Sequence, residues 1–503
     1  MKHLIEISKI VTKRKVRKIE IFDDHSLRHK NSKFNQFYEA LRNQKFKNDR
    51  DAAEYLYGCT PTDAKYRQLK SRFRKRLLNT LFFLDINKPS NSNYDRAYYT
   101  SNKEWTLVKT LLWYDAPGTA NQLARQLLTT ALKFQFSDVI VNCARILRAQ
   151  SAREGDDSKY EEYDNYIKHY SHVLEAEFRS EEFFQRVIMN YLKPASMDDE
   201  MMERINQYCE SLVSLSEQYE SPVIYYNMYL VWIYRFEMQR DFEAMLEVCE
   251  QAEEYIKKNP NFKQERNLAV IQSKKMSAYL HLQNFRDGRT NAEKSLSNHR
   301  PGSKVWFMFM EYYFLLAMHT ENFIQAVAIY KRATEHSKFK KLDTEQKEKW
   351  NLFEGYINYI IINEGKNNPI LDSQLSKSFR VGRFQKKDPT YSRGLVVFNV
   401  LHIVLQILFL LERRNFSSVT EKIDRLKRYS VRLARKNEYY RAVQFIRLLQ
   451  QLPKVEYQLE DLTNTQKYLD ALQSSPFFYR GIASELEVIT YEKLWDRILA
   501  YLE

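Results

Sequence analysis

Along most of the chain, apolar residues return every three or four positions, the period of an α-helix with one buried face. Within this pattern one local arrangement recurs. A polar residue and a Phe open a helix, and small or apolar residues follow at fixed intervals. Asn322-Phe323 leads to Ala326, Tyr330 and Ala333. Asn284-Phe285 leads to Gly288, Ala292 and Ser295, and Asp241-Phe242 to Met245, Cys249 and Ala252. Gln135-Phe136 leads to Val139, Cys143 and Ile146, and Asn415-Phe416 to Val419, Ile423 and Leu426. The spacing puts these residues on one helix face, where a second helix must come close. A repeated helix–turn–helix unit predicts an α-solenoid, which ordinarily binds other molecules instead of transforming them.

This frame resembles the tetratricopeptide repeat (TPR), in which a turn residue and an aromatic begin the second helix of each pair. Phe323, Ala326, Tyr330 and Ala333 fit it without adjustment. In the other copies Met245, Gly288 and Val419 stand where the family has Ala, and the closing Pro is displaced or absent. Phe242, Phe285 and Phe323 lie about 40 residues apart, more than the family's roughly 34. The resemblance covers about Asp115 to Tyr440. It implies an all-α fold, a right-handed superhelical array of helix–turn–helix repeats, and it implies no catalytic residues. The chain is therefore expected to comprise a basic N-terminal helical module (1–93), a TPR-like α-solenoid (94–440) and a C-terminal helical cap (441–503).

Between these landmarks the pattern predicts helices at Lys159–Ser180, Glu181–Leu192 and Asp198–Tyr219. Three more are expected after Tyr440, broken near Pro453 and Pro476. Tyr225, Tyr226, Tyr229, Trp232, Tyr234 and Phe236 crowd one helix with more rings than one face can bury. Most such rings are core. Tyr225, Tyr229 and Trp232 are the candidates for a protein-binding groove.

Composition narrows the class. Ten Gly and 11 Pro in 503 residues are few for an α/β enzyme, which needs glycine for its turns and phosphate loops. Cys59, Cys143, Cys209 and Cys249 stand singly, with no Cys-x-x-Cys. No zinc ribbon, redox motif or disulfide framework is expected, which suits a reducing cytoplasm. Cys143 and Cys249 fall on packing positions and read as small buried hydrophobes. The N-terminus shows no secretory leader. Gly394 to Leu411 reaches the minimum length of a membrane span. Its Asn399, His402 and Gln406 favour instead a buried helix of a repeat pair.

The net charge of +15 is unevenly placed. Met1 to Thr100 carries 23 Lys+Arg and 11 Asp+Glu, a net +12, and the remainder carries 56 and 53, a net +3. Such asymmetry suggests a basic region that meets a polyanion and a near-neutral body that holds a protein. The densest basic segment is a helix from about Asp63 to Asp85. Tyr66, Leu69, Phe73, Leu77 and Leu81 form its apolar stripe, and Arg67, Lys70, Arg72, Arg74, Lys75 and Arg76 cover much of the rest. Phe34–Leu41 and Asp51–Leu56 precede it as shorter helices. Three short helices with a basic third one resemble helix-turn-helix modules that read DNA; the alternative is a solenoid cap with a solvated basic face. A second patch, Arg380-Val-Gly-Arg383-Phe384-Gln-Lys386-Lys387, reads as a loop in which Arg380 and Arg383 clamp phosphate and Phe384 stacks on a base. Lys13 to Ile21 is basic and β-leaning, a short strand or an extended arm. Asn87 to Asn93 reads as a linker.

No Rossmann or P-loop glycine pattern, Gly-x-Ser-x-Gly elbow or His-Glu-x-x-His pair occurs. His169, His172 and Glu175 share a helix face but lack the further ligand and orienting shell a metal site needs. No cofactor and no enzyme activity are expected. Two functions from different classes follow. One is a cytoplasmic, non-enzymatic scaffold that binds a protein or peptide in a helical-repeat groove and docks through its basic module. The other is a nucleic-acid-binding regulator whose N-terminal module contacts DNA or RNA. The sequence names neither the partner nor an oligomeric state, and it does not say which helix face forms the groove.

Overall fold

The computed structural model describes residues 32–43, 45–46, 48–82, 92–192, 199–365, 368–373, 379–386, 391, 395–435 and 437–503. The basic segment Lys13–Ile21 and most of the 87–93 linker lie outside the described residues. Twenty-two α-helices and no strand occur among the described residues, and neighbours in sequence mostly pack on each other. The chain divides into two compact units. The first runs to Leu174 and takes in Asn261–Gln264; the second comprises Glu175–Pro260 and Glu265–Glu503.

The first unit begins with α1 (Lys33–Arg42), α2 (Asp49–Tyr57) and α3 (Ala64–Leu81). Phe37, Leu41, Ala52, Leu56, Tyr66, Phe73 and Leu77 form their common core. The stripe on α3 is the one its spacing predicts, and the Asp63 side chain caps its N-terminus by accepting from the Lys65 amide. Next come α4 (Asn93–Trp113), α5 (Pro117–Phe134) and α6 (Ser137–Glu154), packed in succession. The division between units falls within α7 (Asp157–Tyr191). The pattern predicts two helices here, but α7 is continuous over 35 residues. No Gly or Pro interrupts it. The Ser180 hydroxyl, at the expected break, donates back to the Glu177 carbonyl within the same helix and accepts from Asn227, so its polar group is satisfied without ending the helix.

The second unit continues with α8 (Asp199–Gln218), α9 (Pro222–Gln239), α10 (Phe242–Lys258), α11 (Glu265–His281), α12 (Phe285–Asn298), α13 (Lys304–His319) and α14 (Phe323–Thr334). Then follow α15 (Thr344–Glu364), the short α16 (Pro369–Asp372) and α17 (Val381–Lys386), and α18 (Val396–Glu412) with α19 (Phe416–Leu433). The chain ends with α20 (Tyr440–Leu449), α21 (Gln466–Gln473) and α22 (Tyr491–Leu502), three helices as the pattern after Tyr440 predicts.

One turn explains both the recurring motif and the scarcity of glycine. Gln135, Arg240, Gln283, Glu321 and Arg414 each adopt a left-handed conformation, with φ between 51° and 61°. The residue after each donates its amide five positions back, as Asn322 does to the Ala317 carbonyl at 2.8 Å and Asp241 to the Phe236 carbonyl at 3.0 Å. This closes one helix and starts the next with a non-glycine residue at the reversal. The geometry also corrects one register. Phe136 occupies the capping position that Asn322 holds elsewhere, so Ile140, Ala144 and Leu147 are the buried equivalents of Ala326, Tyr330 and Ala333. Gly288, where the resemblance expects Ala, has a physical reason: a Cβ there would collide with Leu316 and press on Tyr279.

Of the apolar stretch, Val396 onward forms α18, buried along nearly its whole length; Gly394 lies outside the described residues. Two of the helix's polar residues, Gln406 and His402, are anchors. Gln406 donates to the Phe384 and Gln385 carbonyls, and His402 bonds the Tyr391 hydroxyl at 3.2 Å. No helix among the described residues is long and apolar enough to cross a membrane.

Candidate binding groove

Helices α9, α11, α13 and α15 are the first members of successive pairs. Each is largely apolar yet turns polar groups to one side: Glu237 from α9, Ser277 and His281 from α11, Glu311 and His319 from α13, and Lys349 from α15. A stretch of the chain itself lies across these groups. Pro476 forbids continuation of the preceding helix. From there to Leu486 the chain runs without α-helix, and Gly481 takes a φ of 85° that L side chains rarely adopt.

Side chains of the groove grip the backbone of this stretch. Arg240 donates to the Pro476 carbonyl at 2.8 Å. The Tyr479 amide donates to His281 Nε2 at 3.0 Å, which fixes Nδ1 as the protonated nitrogen, donating to the Ser277 carbonyl at 2.6 Å. The Ser277 hydroxyl donates to the Tyr479 carbonyl at 3.4 Å. His319 Nε2 donates to the Glu487 carbonyl at 2.7 Å. The Tyr479 ring is fully buried. Its hydroxyl donates to Glu311, and Lys349 Nζ reaches both, at 3.3 Å from the hydroxyl and 2.8 Å from the carboxylate. Phe477 packs on His319 at 4.6 Å between ring centroids, and the Arg240 guanidinium lies 4.9 Å over the Phe478 ring.

Arg441 closes the stretch at its base. It donates to the Leu472 and Ser475 carbonyls on one side (2.9 and 2.6 Å) and to the Glu487 and Glu492 carboxylates on the other (2.6 and 2.8 Å). Residues 476–486 thus form a compact loop whose two ends meet at one guanidinium. Arg480, at the loop tip, pairs with Glu485 at 2.7 Å through Nε and donates to the Tyr191 carbonyl at 2.6 Å.

Burial sets the protonation states. It depresses His281 to about 3 and His319 to about 4, so both are neutral at pH 7. It drives the Tyr479 hydroxyl far above its ordinary range, with the Glu311 charge adding to the effect. Burial also raises the Glu487 carboxyl, against the pull of Arg441. Two cavities border Arg480, both also lined by Tyr191, Glu438 and Ser484. The smaller, of about 310 Å³, is lined by Arg240, Asn437, Tyr440 and Phe478 among others. The larger, of about 1240 Å³, is lined by Tyr234, Lys274, Lys304, Met308 and Tyr312.

The expected groove residues lie elsewhere on α9. Tyr225 stacks on Tyr255 at 4.3 Å and Trp232 on Phe236 at 5.6 Å, and neither they nor Tyr229 line these cavities. Tyr234, nine residues after Tyr225 and so on the opposite side of the helix, does. Of the basic residues, Arg67, Arg72, Arg74 and Lys75 project from α3 into solvent. Lys70 pairs with Asp49 at 2.6 Å, and Arg76 lies 5.0 Å over the Phe34 ring. Arg380 and Arg383 are exposed, but the segment is not the expected loop. Val381–Lys386 is α17, and Phe384 stacks on His402 at 4.3 Å, turned inward and away from any base. His169 packs edge-on to Tyr170, and no group of three or more metal-ligating side chains converges among the described residues.

Sequence reasoning missed the loop and its receptors. A signal existed: Glu311 is the one charged residue in the apolar run Val305–Met318, and Pro476-Phe477-Phe478-Tyr479 has rings but no helical period. No protein-family model matches the chain, and neither curated proteins nor solved structures give a match.

Proposed function

We propose that the chain is a non-enzymatic cytoplasmic scaffold, a TPR-like right-handed superhelical array that binds an extended protein segment along the first helices of its pairs. The observation that supports this most is the 476–486 loop. The groove already holds a non-helical stretch of chain through side-chain contacts to its backbone, the mode by which peptide grooves gain affinity without demanding one sequence. The polar side chains there are engaged with one another, which favours holding over chemistry.

The test is a displayed-peptide selection on the full chain, followed by titration of an enriched peptide. Lys304→Glu and Met308→Lys, on the wall of the larger cavity, are expected to weaken binding at least about 10-fold, or about 1.4 kcal/mol. Selected peptides indifferent to both changes would count against the groove.

A second reading is supported by α3. Arg67, Arg72, Arg74 and Lys75 are exposed and pair with no carboxylate among the described residues. Such a face suits the phosphates of DNA or RNA and gives the basic module a docking role. Mobility shift of labelled duplex DNA and RNA by the full chain, over a salt series, tests it. Each phosphate contact removed by reversing Arg72, Arg74 and Lys75 to Glu should lower the salt slope by about one. An unchanged shift would return α3 to a solvated cap.

A further inference from the structure

The loop at 476–486 does more than illustrate what the groove accepts. We infer that it is a built-in occupant, which a partner must displace, and that the partner presents an extended aromatic–aromatic–Tyr–basic run like Phe477-Phe478-Tyr479-Arg480. This deepens the peptide-binding reading and rests on it.

Three features separate a displaceable loop from a permanent wall. First, its ends are joined at Arg441, which holds Ser475 and Glu487 together. The loop can leave the groove while both stems stay in place. The flanking helices have contacts of their own, Leu472 of α21 and Leu494, Trp495 and Ile498 of α22 being buried in the apolar core. Second, the floor beneath the loop is partly polar, although Tyr479 also packs near Tyr312 and Phe478 near Phe242. Ser277, His281, Glu311, His319 and Lys349 meet it, and water can satisfy all of them when it lifts. A floor meant to stay covered is cheaper to build from apolar residues. Third, the grip combines two kinds of contact. Arg240, Ser277 and His281 hold backbone atoms, which any chain in the groove supplies. Glu311 and Lys349 hold one side-chain hydroxyl, which only a tyrosine at that register supplies.

A tethered occupant competes at a high effective concentration. The intact chain should therefore bind such a peptide about 10- to 1000-fold more weakly than a chain whose loop has lost its hold. The probe is a fluorescein-labelled synthetic peptide with the sequence of residues 475–487, titrated into the full-length protein and into its Phe477→Ala/Tyr479→Ala variant. The variant is expected to bind at least about 10-fold tighter. A probe with Phe in place of its Tyr should lose most of that gain. No gain in a variant of native helix content would overturn the inference.

Should that variant fail to fold, hydrogen exchange in the unaltered protein decides. Amides of 477–487 should exchange at least about 100-fold faster than those of α11 and α13, through opening without global unfolding. Equal protection would make the loop a fixed part of the core and end the idea. A selected peptide that is sensitive to Met308→Lys but binds no tighter after the loop substitutions would leave peptide binding standing and remove only the loop's competing role.

Discussion

On α3, Arg67, Arg72, Arg74 and Lys75 reach into solvent. In the second unit, Lys349, Arg441 and Arg480 are largely buried, and each closes on a carboxylate: Glu311, Glu487 and Glu485. Both regions are rich in charge, but the energetics differ. A solvated cation is nearly free to keep and free to offer to a ligand. A buried one is tolerable only while its partner and hydrogen bonds are in place, so removing either side leaves an uncompensated charge. The first kind of charge is open to a ligand and does not support the fold. The second kind fixes the geometry of a groove and its loop.

The largest effect expected from this difference is at Arg441. Arg441→Met removes the donors at the base of the loop and strands Glu487 in the interior. It should cost about 3–5 kcal/mol in urea unfolding. Adding Glu487→Gln should recover part of the loss, because the stranded charge is gone. A loss below about 1 kcal/mol would put the groove's charges on the same footing as those of α3, and the comparison would break.

Next in size is a pH effect on the loop. His281 is held neutral in the docked state, at about 3, against an ordinary value of 6.5. A lowered histidine means that the undocked state binds more protons. The stabilisation is therefore complete above about pH 6.5 and drains away as pH falls toward 3. Between pH 7 and 5 this one group should weaken docking by roughly 20-fold, close to 2 kcal/mol. Protonation would also abolish the acceptor for the Tyr479 amide. The neighbours of His281 include His319, Arg240 and Lys274, all of which disfavour a second positive charge. Glu485 and Glu487 act oppositely, since burial raises both and acid relieves their cost. Protection of amides 477–487 at the two pH values, in the unaltered protein and in His281→Gln, separates these contributions. The histidine share is the pH dependence that the substitution removes. If His281→Gln loses protection with acid as steeply as the parent, His281 is not responsible.

How far the sequence discloses these two regions follows from the same physics. The α3 stripe repeats at helical spacing and its cations fill the remaining positions, so core and exposed face can both be read from one segment. The repeated Phe-opened helices are legible for the same reason: the information is local. The loop is not local. Tyr479 meets Glu311 and Lys349 from 168 and 130 residues away, and nothing in the period of α13 or α15 announces that pairing. The aromatic helix α9 left its cavity-facing side unread for a related reason. Spacing shows that Tyr225, Tyr229 and Trp232 share a stripe, but only the neighbouring chain decides that Tyr234, on the other side, borders the cavity.

A smaller effect tests the exception within α3. Lys70 pairs with Asp49, which also accepts from the Tyr66 hydroxyl at 2.7 Å. Burial alone would raise the Asp49 carboxyl, but the Lys70 and Tyr66 bonds outweigh it and hold the group at about 2. This contribution is present above about pH 4 and is lost as pH falls through 2. Both partners are about one-third exposed, so Lys70→Met should cost no more than about 0.5–1 kcal/mol. Guanidinium unfolding is the wrong assay here, because its salt screens the pair; urea melts at low ionic strength show it.

The smallest effect sharpens the comparison most. Reversing Arg72, Arg74 and Lys75 to Glu places three acidic groups where three basic ones stood, on the solvent side of a helix whose opposite side is anchored by Tyr66, Phe73 and Leu77. None of the three makes an ion pair among the described residues, and none touches the apolar core. The helix loses no cap and no packing. Positions 72 and 76 stand four apart, so Arg72→Glu sets a carboxylate one turn from the Arg76 guanidinium and returns a few tenths of a kcal/mol. Stability in urea should therefore stay within about 0.5 kcal/mol of the parent. A triple reversal this large in charge and this small in stability would establish that the face is free of structural duty. Any loss of nucleic-acid binding that accompanied it could then be assigned to the face itself. A loss of several kcal/mol would show instead that these cations are held by the fold, as those of the groove are.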